Sequence, residues 1–417
     1  MDSYAVIAHR FWNRPGGGEV VCAATAYTFD IMGFKPVLAS IGGIDIGEYD
    51  SWFGINFLDK YPKITLYPFK IGFFGIYLRL LMWRVIKKAV ERFSPQIVFV
   101  DEPTYRPVIN ILKERNVKLI EYIHSPIEAS IDARFKGSGL HYTEDPYILE
   151  RFSKFPLSIY WKMYVKLLPR YLRENPFQVA SLVLANSKWT ANIIKQLYGE
   201  SPEVLNPPIA PNVEIVEKPR EFSERENAVV MLGRFAEEKR YHWIVREVLP
   251  KLRREALNTK LYIFGGAKTK TSLNYLAKLE KLAFEMGFKV SKDIDAEADV
   301  YLIPNASRSA INMVMDNAKV FLHATVNEHW GVAIAEAMAR GLPVVLHKSG
   351  GAWSDLAEEG VYALGYTNPE EAVEAIAKLL TDEKTWKKLS RHSIEKAKDL
   401  TLEKFVERLS KILTRVL

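Results

Sequence analysis

A single cysteine, Cys22, stands in the 417 residues, which excludes an intramolecular disulfide and any zinc centre built from several cysteines. Glutamine is almost as scarce: Gln96, Gln178 and Gln196 stand against abundant Lys, Glu, Arg and Tyr, a balance that leans towards a thermophilic source. Long hydrophobic runs are missing too. The longest, Ile71 to Trp83, contains Arg79, is flanked by Lys70 and Arg84, and falls short of the roughly 20 residues that span a bilayer. No transmembrane helix is therefore expected. Met1 to Arg10 is a short β-like run that lacks the longer apolar core of a signal peptide, and the expected location is the reducing cytoplasm. No recognition motif for nucleic acid occurs, so that partner is not expected.

What is present describes a globular chain. Hydrophobic residues make up 48% and charged residues 26%, enough apolar surface for a sizeable core, and the length suits two or three domains. A net charge of +7 points to an anionic partner such as a phosphorylated substrate or a membrane surface. Short apolar runs alternate with helical patterns. In the first half, strands are predicted at Tyr4 to Ala8, Pro36 to Ser40, Gln96 to Val100, Lys118 to Ile123 and Val179 to Ala185. Helices are predicted over Val20 to Met32, Ile76 to Phe93 and Val108 to Arg115. In the second half, strands are predicted at Ala228 to Leu232, Lys260 to Phe264, Val300 to Pro304, Val320 to Ala324 and Pro343 to Leu346. This alternation argues for parallel α/β sheets. The prolines of Leu205-Asn-Pro-Pro-Ile209 and the charged segment Glu214 to Asn227 read as a linker between domains 1–210 and 211–400. The tail, Thr401 to Leu417, carries Leu402, Phe405, Leu409, Ile412 and Leu413 at the spacing of an amphipathic helix.

The most informative stretch is Asn327-Glu-His-Trp-Gly331 with its continuation to Val345, where Glu328 and Glu336 have seven residues between them. An apolar run leads into a polar turn, then a series of helix formers from Ala333 to Arg340, stopped by Gly341 and Pro343. The helix start at Gly331 and Val332 offers unpaired N–H groups and a positive dipole end, a ready anion site. A carboxylate further along the helix accepts two hydrogen bonds from a vicinal diol such as a ribose, and one in the preceding loop holds hydroxyls attached beyond the phosphates. The pattern suits a nucleotide-sugar. A solvated helix would also carry glutamates, but Glu336 lies amid Ala333, Ile334, Ala335, Ala337 and Met338, and carboxylates are rarely buried unless paired.

Other positions point the same way. Arg14-Pro-Gly-Gly-Gly-Glu19 lies between the first strand and first helix, where Gly17 and Gly18 let backbone approach a ligand; Val21 rules out the dinucleotide fingerprint. Gly233-Arg-Phe-Ala-Glu-Glu-Lys239 follows a strand, so Arg234 and Lys239 suit a diphosphate, one as a fork and one as a point charge. A solvated helix start explains the same charges. His124, at the end of a strand and before Ser125-Pro126, points into the expected cleft, although a lone histidine is more often structural. In Asn186-Ser-Lys-Trp-Thr190, Ser187 or Thr190 suits a helix cap. Asp293-Ile-Asp295 is read as a chance match to the metal-binding DxD pattern, and no metal site is expected.

Asn327-Glu-His-Trp-Gly331 with Glu336 closely resembles the E-x7-E motif of family 4 retaining glycosyltransferases, and its Asn-Glu-His-aromatic-Gly form is most similar to the eukaryotic dolichol-linked mannosyltransferase branch. The Gly loop, His124, Asn186 to Thr190, Arg234 with Lys239, and Gly265-Gly266 match the same family in order along nearly the whole chain. The resemblance implies a GT-B fold, with two Rossmann-like domains facing a cleft and a terminal helix crossing back to the first. It also implies roles. Glu328 and His124 meet the transferred sugar, Glu336 the ribose, Arg234 and Lys239 the diphosphate, and the Gly17–Gly18 loop the donor phosphate and acceptor. The expected activity is transfer of a hexose, mannose from GDP-mannose, to a lipid-linked or other glycan acceptor, without a metal or other cofactor. A GT-B enzyme making a soluble glycoside from a UDP- or ADP-sugar is the alternative. A non-catalytic nucleotide- or sugar-binding protein is disfavoured by the full set of phosphate cations and both glutamates.

Two segments suit an anionic membrane surface. Lys60 to Arg92 mixes Phe69, Phe73, Phe74, Tyr77, Leu78, Leu81 and Trp83 with Lys63, Lys70, Arg79, Arg84, Lys87 and Lys88; Phe155 to Arg173 mixes Ile159, Tyr160, Trp161, Tyr164 and Leu167 with Lys162, Lys166, Arg170 and Arg173. Ordinary core helices explain them about as well.

Overall fold

The computed structural model describes residues 3–13, 16–71, 75–144, 148–149, 152, 154–255 and 258–417. Arg14, Pro15, Phe73 and Phe74, named above, lie outside them. The chain divides into two units, Met1–Pro211 with Thr401–Leu417, and Asn212–Leu400.

In the first unit the strands are β1 (Tyr4–Ala8), β2 (Lys35–Ser40), β3 (Lys63–Thr65), β4 (Ile97–Val100), β5 (Lys118–Ile123), β6 (Leu182–Ala185) and β7 (Glu203–Val204). They form one parallel sheet in the order β3-β2-β1-β4-β5-β6-β7. The central strand β4 reads as an unbroken apolar run, Ile-Val-Phe-Val, because parallel strands are buried on both faces. Val6, Val37 and Val98 meet Val85, Ile86 and Ala89 of the helix Met82–Phe93 in the core. The terminal helix Leu402–Thr414, capped by Thr401, buries Phe405, Leu409, Ile412 and Leu413, packs on the helix Gly17–Ile31, and is followed by Lys118 Nζ donating to the Val416 carbonyl at 2.6 Å.

The second unit repeats the plan. Its strands are β8 (Glu226–Leu232), β9 (Lys260–Gly265), β10 (Val290–Ser291), β11 (Val300–Pro304), β12 (Ala318–His323), β13 (Val344–His347) and β14 (Leu364–Tyr366), parallel in the order β10-β11-β9-β8-β12-β13-β14. In each sheet the chain first lays strands on one side of its first strand, then crosses to the other. The reversal falls between β1 and β4 and between β8 and β12, and ligands of open α/β sheets bind outside the carboxyl ends of strands at such a point.

Several elements differ from expectation. The strand predicted from Val179 begins only at Leu182, because Pro176, capped by Asn175, opens a short helix through Val179. The helix expected over Ile76 to Phe93 is broken into Gly75–Leu78, a tighter turn at Arg79–Leu81, and Met82–Phe93. The charged segment 214–227 is no free linker. Val216 N donates to Ala339 O, and buried Arg225 donates to the Met315 and Ala318 carbonyls at 3.1 and 2.8 Å while lying over the Trp386 ring, which fastens the segment to the second unit. Burial pulls that guanidinium down to about 10.

Candidate active site

At the switch point of the second sheet, Gly233 directly follows β8. A side chain on Gly265 would overlap the Gly233 carbonyl, so this glycine lets two strand ends close together; Gly233 N donates to Phe264 O at 3.0 Å and its carbonyl accepts from Tyr241 OH at 3.0 Å. Past this turn, Lys239 ends a short 3-10 turn, Glu237–Lys239, and its Nζ donates to Glu328 Oε2 at 2.9 Å. His323, the last residue of β12, places Nε2 at 2.9 Å from the same oxygen. Burial alone would push the Glu328 carboxyl up; the Lys239 charge and the His323 hydrogen bond outweigh it and hold it well below its ordinary 4.5. Burial pulls His323 below its ordinary 6.5 despite that hydrogen bond, so a neutral ring donates from Nε2 to an ionised carboxylate.

The loop carrying Glu328 is held from behind. Asn327 has a left-handed φ of 55° and donates its N–H to Ser349 Oγ at 2.8 Å; Ala352 N donates to the Glu328 carbonyl at 3.2 Å. Gly350, with φ 76°, lies so close that a Cβ there would stand 2.7 Å from Asn327 C and Glu328 N. Gly331, with φ 93°, then turns the chain into the helix Val332–Ala339, where a Cβ would meet Ile334 at 2.6 Å. Glu336 on that helix is buried, and its partner is Arg308, whose two terminal nitrogens donate to the two carboxylate oxygens at 3.0 and 3.2 Å. Arg308 begins the helix Arg308–Asn317, capped by Ser307. Arg234 stands apart from this constellation: its side chain is 73% exposed and pairs with Glu238 at 3.2 Å. Asp293 accepts from Asp295 N at 3.1 Å in an exposed local turn.

In the first unit the glycine segment is not a loop throughout. Gly17 and Gly18 form the first turn of the helix Gly17–Ile31, which starts three residues before the expected Val20 because Gly16 takes the capping position. First-turn N–H groups have no helical acceptor, so the backbone donors foreseen for a loop are supplied by a helix end. His9, Asp101 and His124 immediately follow β1, β4 and β5, neighbours in the sheet. His9 Nδ1 and His124 Nε2 lie 2.7 and 3.2 Å from Asp101 Oδ2, and Cys22 Sγ donates to the same oxygen at 3.6 Å. Among the described residues, His9, Cys22 and Asp101 bring metal-capable atoms within 4.8 Å of one another, a grouping the sequence had not suggested, and their contacts are hydrogen bonds into one carboxylate oxygen. Asn186 Nδ2 donates to the His124 carbonyl at 2.9 Å, and Ser187 caps the helix Lys188–Tyr198 by accepting from Thr190 N.

His323, Arg308, His9 and Asp101 are not among the site residues expected from the sequence. For His9 and Asp101 a signal existed. Each is a polar residue directly after an apolar strand, the reasoning applied to His124.

Residues 212–399 match the family described as glycosyl transferases group 1. The GDP-Man:Man(3)GlcNAc(2)-PP-Dol alpha-1,2-mannosyltransferase of Dictyostelium discoideum is 25% identical over 317 residues, 71% of this chain and 57% of that protein. The enzyme of the same description from Eremothecium gossypii is 24% identical over 243 residues, 58% of this chain and 39% of that protein. The alignments thus span well under two thirds of these relatives. Among solved structures, Anabaena Alr3699/HepE in complex with UDP and glucose superposes with a TM-score of 0.68 at 16% identity, covering 99% of this chain and 100% of that one. At that identity the likeness speaks for the fold, and the fold is the GT-B arrangement of two Rossmann-like parallel-sheet domains expected from the sequence.

Proposed function

With residues 212–399 forming a glycosyl transferases group 1 domain, we propose that the protein is a retaining hexosyltransferase that moves mannose from GDP-mannose to a lipid-linked or other glycan acceptor. The observation that carries this reading is Glu328, kept ionised by Lys239 and His323 at the switch point and directly ahead of the Gly331-started helix. Cleaving a sugar–phosphate bond develops negative charge on the leaving diphosphate. Lys239, Arg234 and the N–H groups at Val332 are the groups that stabilise it where it grows, with no metal required. Arg234 reaches this charge by leaving Glu238, an exposed pair worth at most about 1 kcal/mol. Glu328 accepts from sugar hydroxyls and Glu336 from the ribose. His124 takes the sugar-orienting role that the family resemblance implies. The glycine-started helix Gly17–Ile31 serves the donor phosphate and acceptor side.

A lipid-linked acceptor fits peripheral attachment to an anionic membrane. Among the described residues no helix is long and apolar enough to cross a membrane. Around the helix Leu157–Leu167, however, Phe155, Ile159 and Met163 are 81%, 50% and 54% exposed beside exposed Lys162 and Lys166. The earlier segment contributes less. Leu78 is buried, and Arg79 pairs with buried Glu102 at 2.7 Å; in the later segment Arg173 is likewise taken by buried Glu121.

The decisive experiment is a thermal-shift screen over GDP-mannose, UDP-glucose and ADP-glucose, followed by mass spectrometry of products formed with the best binder. Stabilisation by GDP-mannose and mannosyl transfer to a dolichol-type acceptor is the expected result. Preference for a UDP- or ADP-sugar with a soluble product would replace the donor and acceptor assignments.

A further inference from the structure

His9, Asp101 and His124 come from three neighbouring strands and converge on one carboxylate oxygen, although 92 and 23 residues separate the two histidines from the aspartate. A carboxylate accepts and never donates when ionised, so both ring nitrogens facing Asp101 carry hydrogen. Asp101 Oδ1 takes no hydrogen bond from the described residues, which leaves all three donors, Cys22 included, on Oδ2. The carboxyl would be raised by burial; the two histidines outweigh that and hold it far below the ordinary carboxylate range. Burial opposes charge on His9, yet Asp101 lifts it well above its ordinary 6.5, and Glu19 lies 3.6 Å from its other nitrogen. Cys22, pushed up to about 12 by burial and Asp101, stays a thiol. Buried Tyr49 and Tyr122, also near this group, are held in the neutral phenol form by burial.

His124 is fixed on further sides. Its ring meets Tyr122 edge-on at 4.8 Å, and its carbonyl is held by Asn186. Gly18, in the first turn of its helix, lies against the same group: a Cβ there would stand in ordinary contact, 3.5–3.8 Å, with His9, His124 and Asp101.

We propose that Asp101 is a positioning residue for His124: it keeps the ring proton on Nε2, with His9 as its buried counter-cation, and thereby presents His124 Nδ1 as a hydrogen-bond acceptor for a substrate hydroxyl. This rests on the sugar-orienting role given to His124 and sharpens it. An imidazole with a lone pair at Nδ1 binds an O–H donor, whereas an imidazolium binds phosphate.

The tautomer is read first, without substrate, by long-range nitrogen–proton NMR of the histidine-labelled protein between about pH 6 and 8. Hydrogen is expected on His124 Nε2 with Nδ1 bare, and on both ring nitrogens of His9; hydrogen on His124 Nδ1 overturns the proposal. Asp101→Asn is then expected to mix the His124 tautomers and lower turnover roughly tenfold to a hundredfold, with donor KM little changed. An unchanged tautomer and turnover in a folded Asp101→Asn protein also overturns it. His124→Ala separates the two layers: full turnover in that variant removes the sugar role itself and with it the acceptor presented to a hydroxyl, whatever the tautomer.

Discussion

Glu336 and Glu328 illustrate how a residue's partner decides its use. Both are carboxylates in the same short stretch, yet one is clasped by a guanidinium and the other by an ammonium and an imidazole. Arg308 occupies both oxygens of Glu336 and fixes its plane, and each oxygen keeps further acceptor capacity for a diol. Glu336→Ala is therefore expected to weaken nucleotide-sugar binding by roughly 1.5–3 kcal/mol, the loss of charged hydrogen bonds. Calorimetry finding the same affinity in a folded variant would take the ribose role away from Glu336. Glu328 carries a pH signature. Its folded pKa lies below the ordinary 4.5, so the stability it confers is complete above that value and disappears as pH falls through the lower, folded pKa. Acid melting curves should accordingly fall less steeply for Glu328→Gln than for the wild type. Parallel curves would mean that the Lys239–Glu328–His323 group adds nothing to folding. The motif residues were legible because they are close in sequence and chemically conspicuous. Arg308 was not, since a lone arginine at a helix start has no local mark, and 28 residues separate it from the carboxylate it serves.

At the scale of elements, short turns set the chemistry in place. The Gly350 turn after β13 presses on the backbone of Asn327 and Glu328, two segments joined only through the fold. Gly350→Ala meets both a left-handed φ, which costs about 1–2 kcal/mol for a residue with a side chain, and a collision with that backbone. The expected result is lower stability to urea together with weakened donor binding, because Glu328 must shift to make room. Normal binding in Gly350→Ala would show that the buttress is dispensable. Central strands followed the apolar runs closely. The strands β3, β7, β10 and β14 did not, being two or three residues at the sheet margins, too short to display a pattern and formed because a neighbour offers hydrogen bonds.

For the whole molecule, the net charge of +7 and the exposed apolar side chains near the helix Leu157–Leu167 make membrane attachment the property to test. Basic residues near an anionic surface contribute roughly 1 kcal/mol each within a Debye length, and apolar burial adds to it. The protein is expected to co-sediment with phosphatidylserine-containing vesicles at low salt and release at high salt, with Ile159→Asp and Met163→Asp together reducing binding. Failure to sediment with any vesicle at low salt would favour a soluble acceptor. By itself the sequence determined the class of fold and singled out the paired glutamates, because apolar period, glycine turns and closely spaced carboxylates are local patterns that survive without coordinates. Only the tertiary structure decided which charges meet. Lys239 reaches Glu328 across 89 residues and His9 reaches Asp101 across 92, since a parallel sheet laid on both sides of its first strand brings the ends of strands distant in the chain to one edge. Such pairings depend on strand order, which no local pattern of residues records.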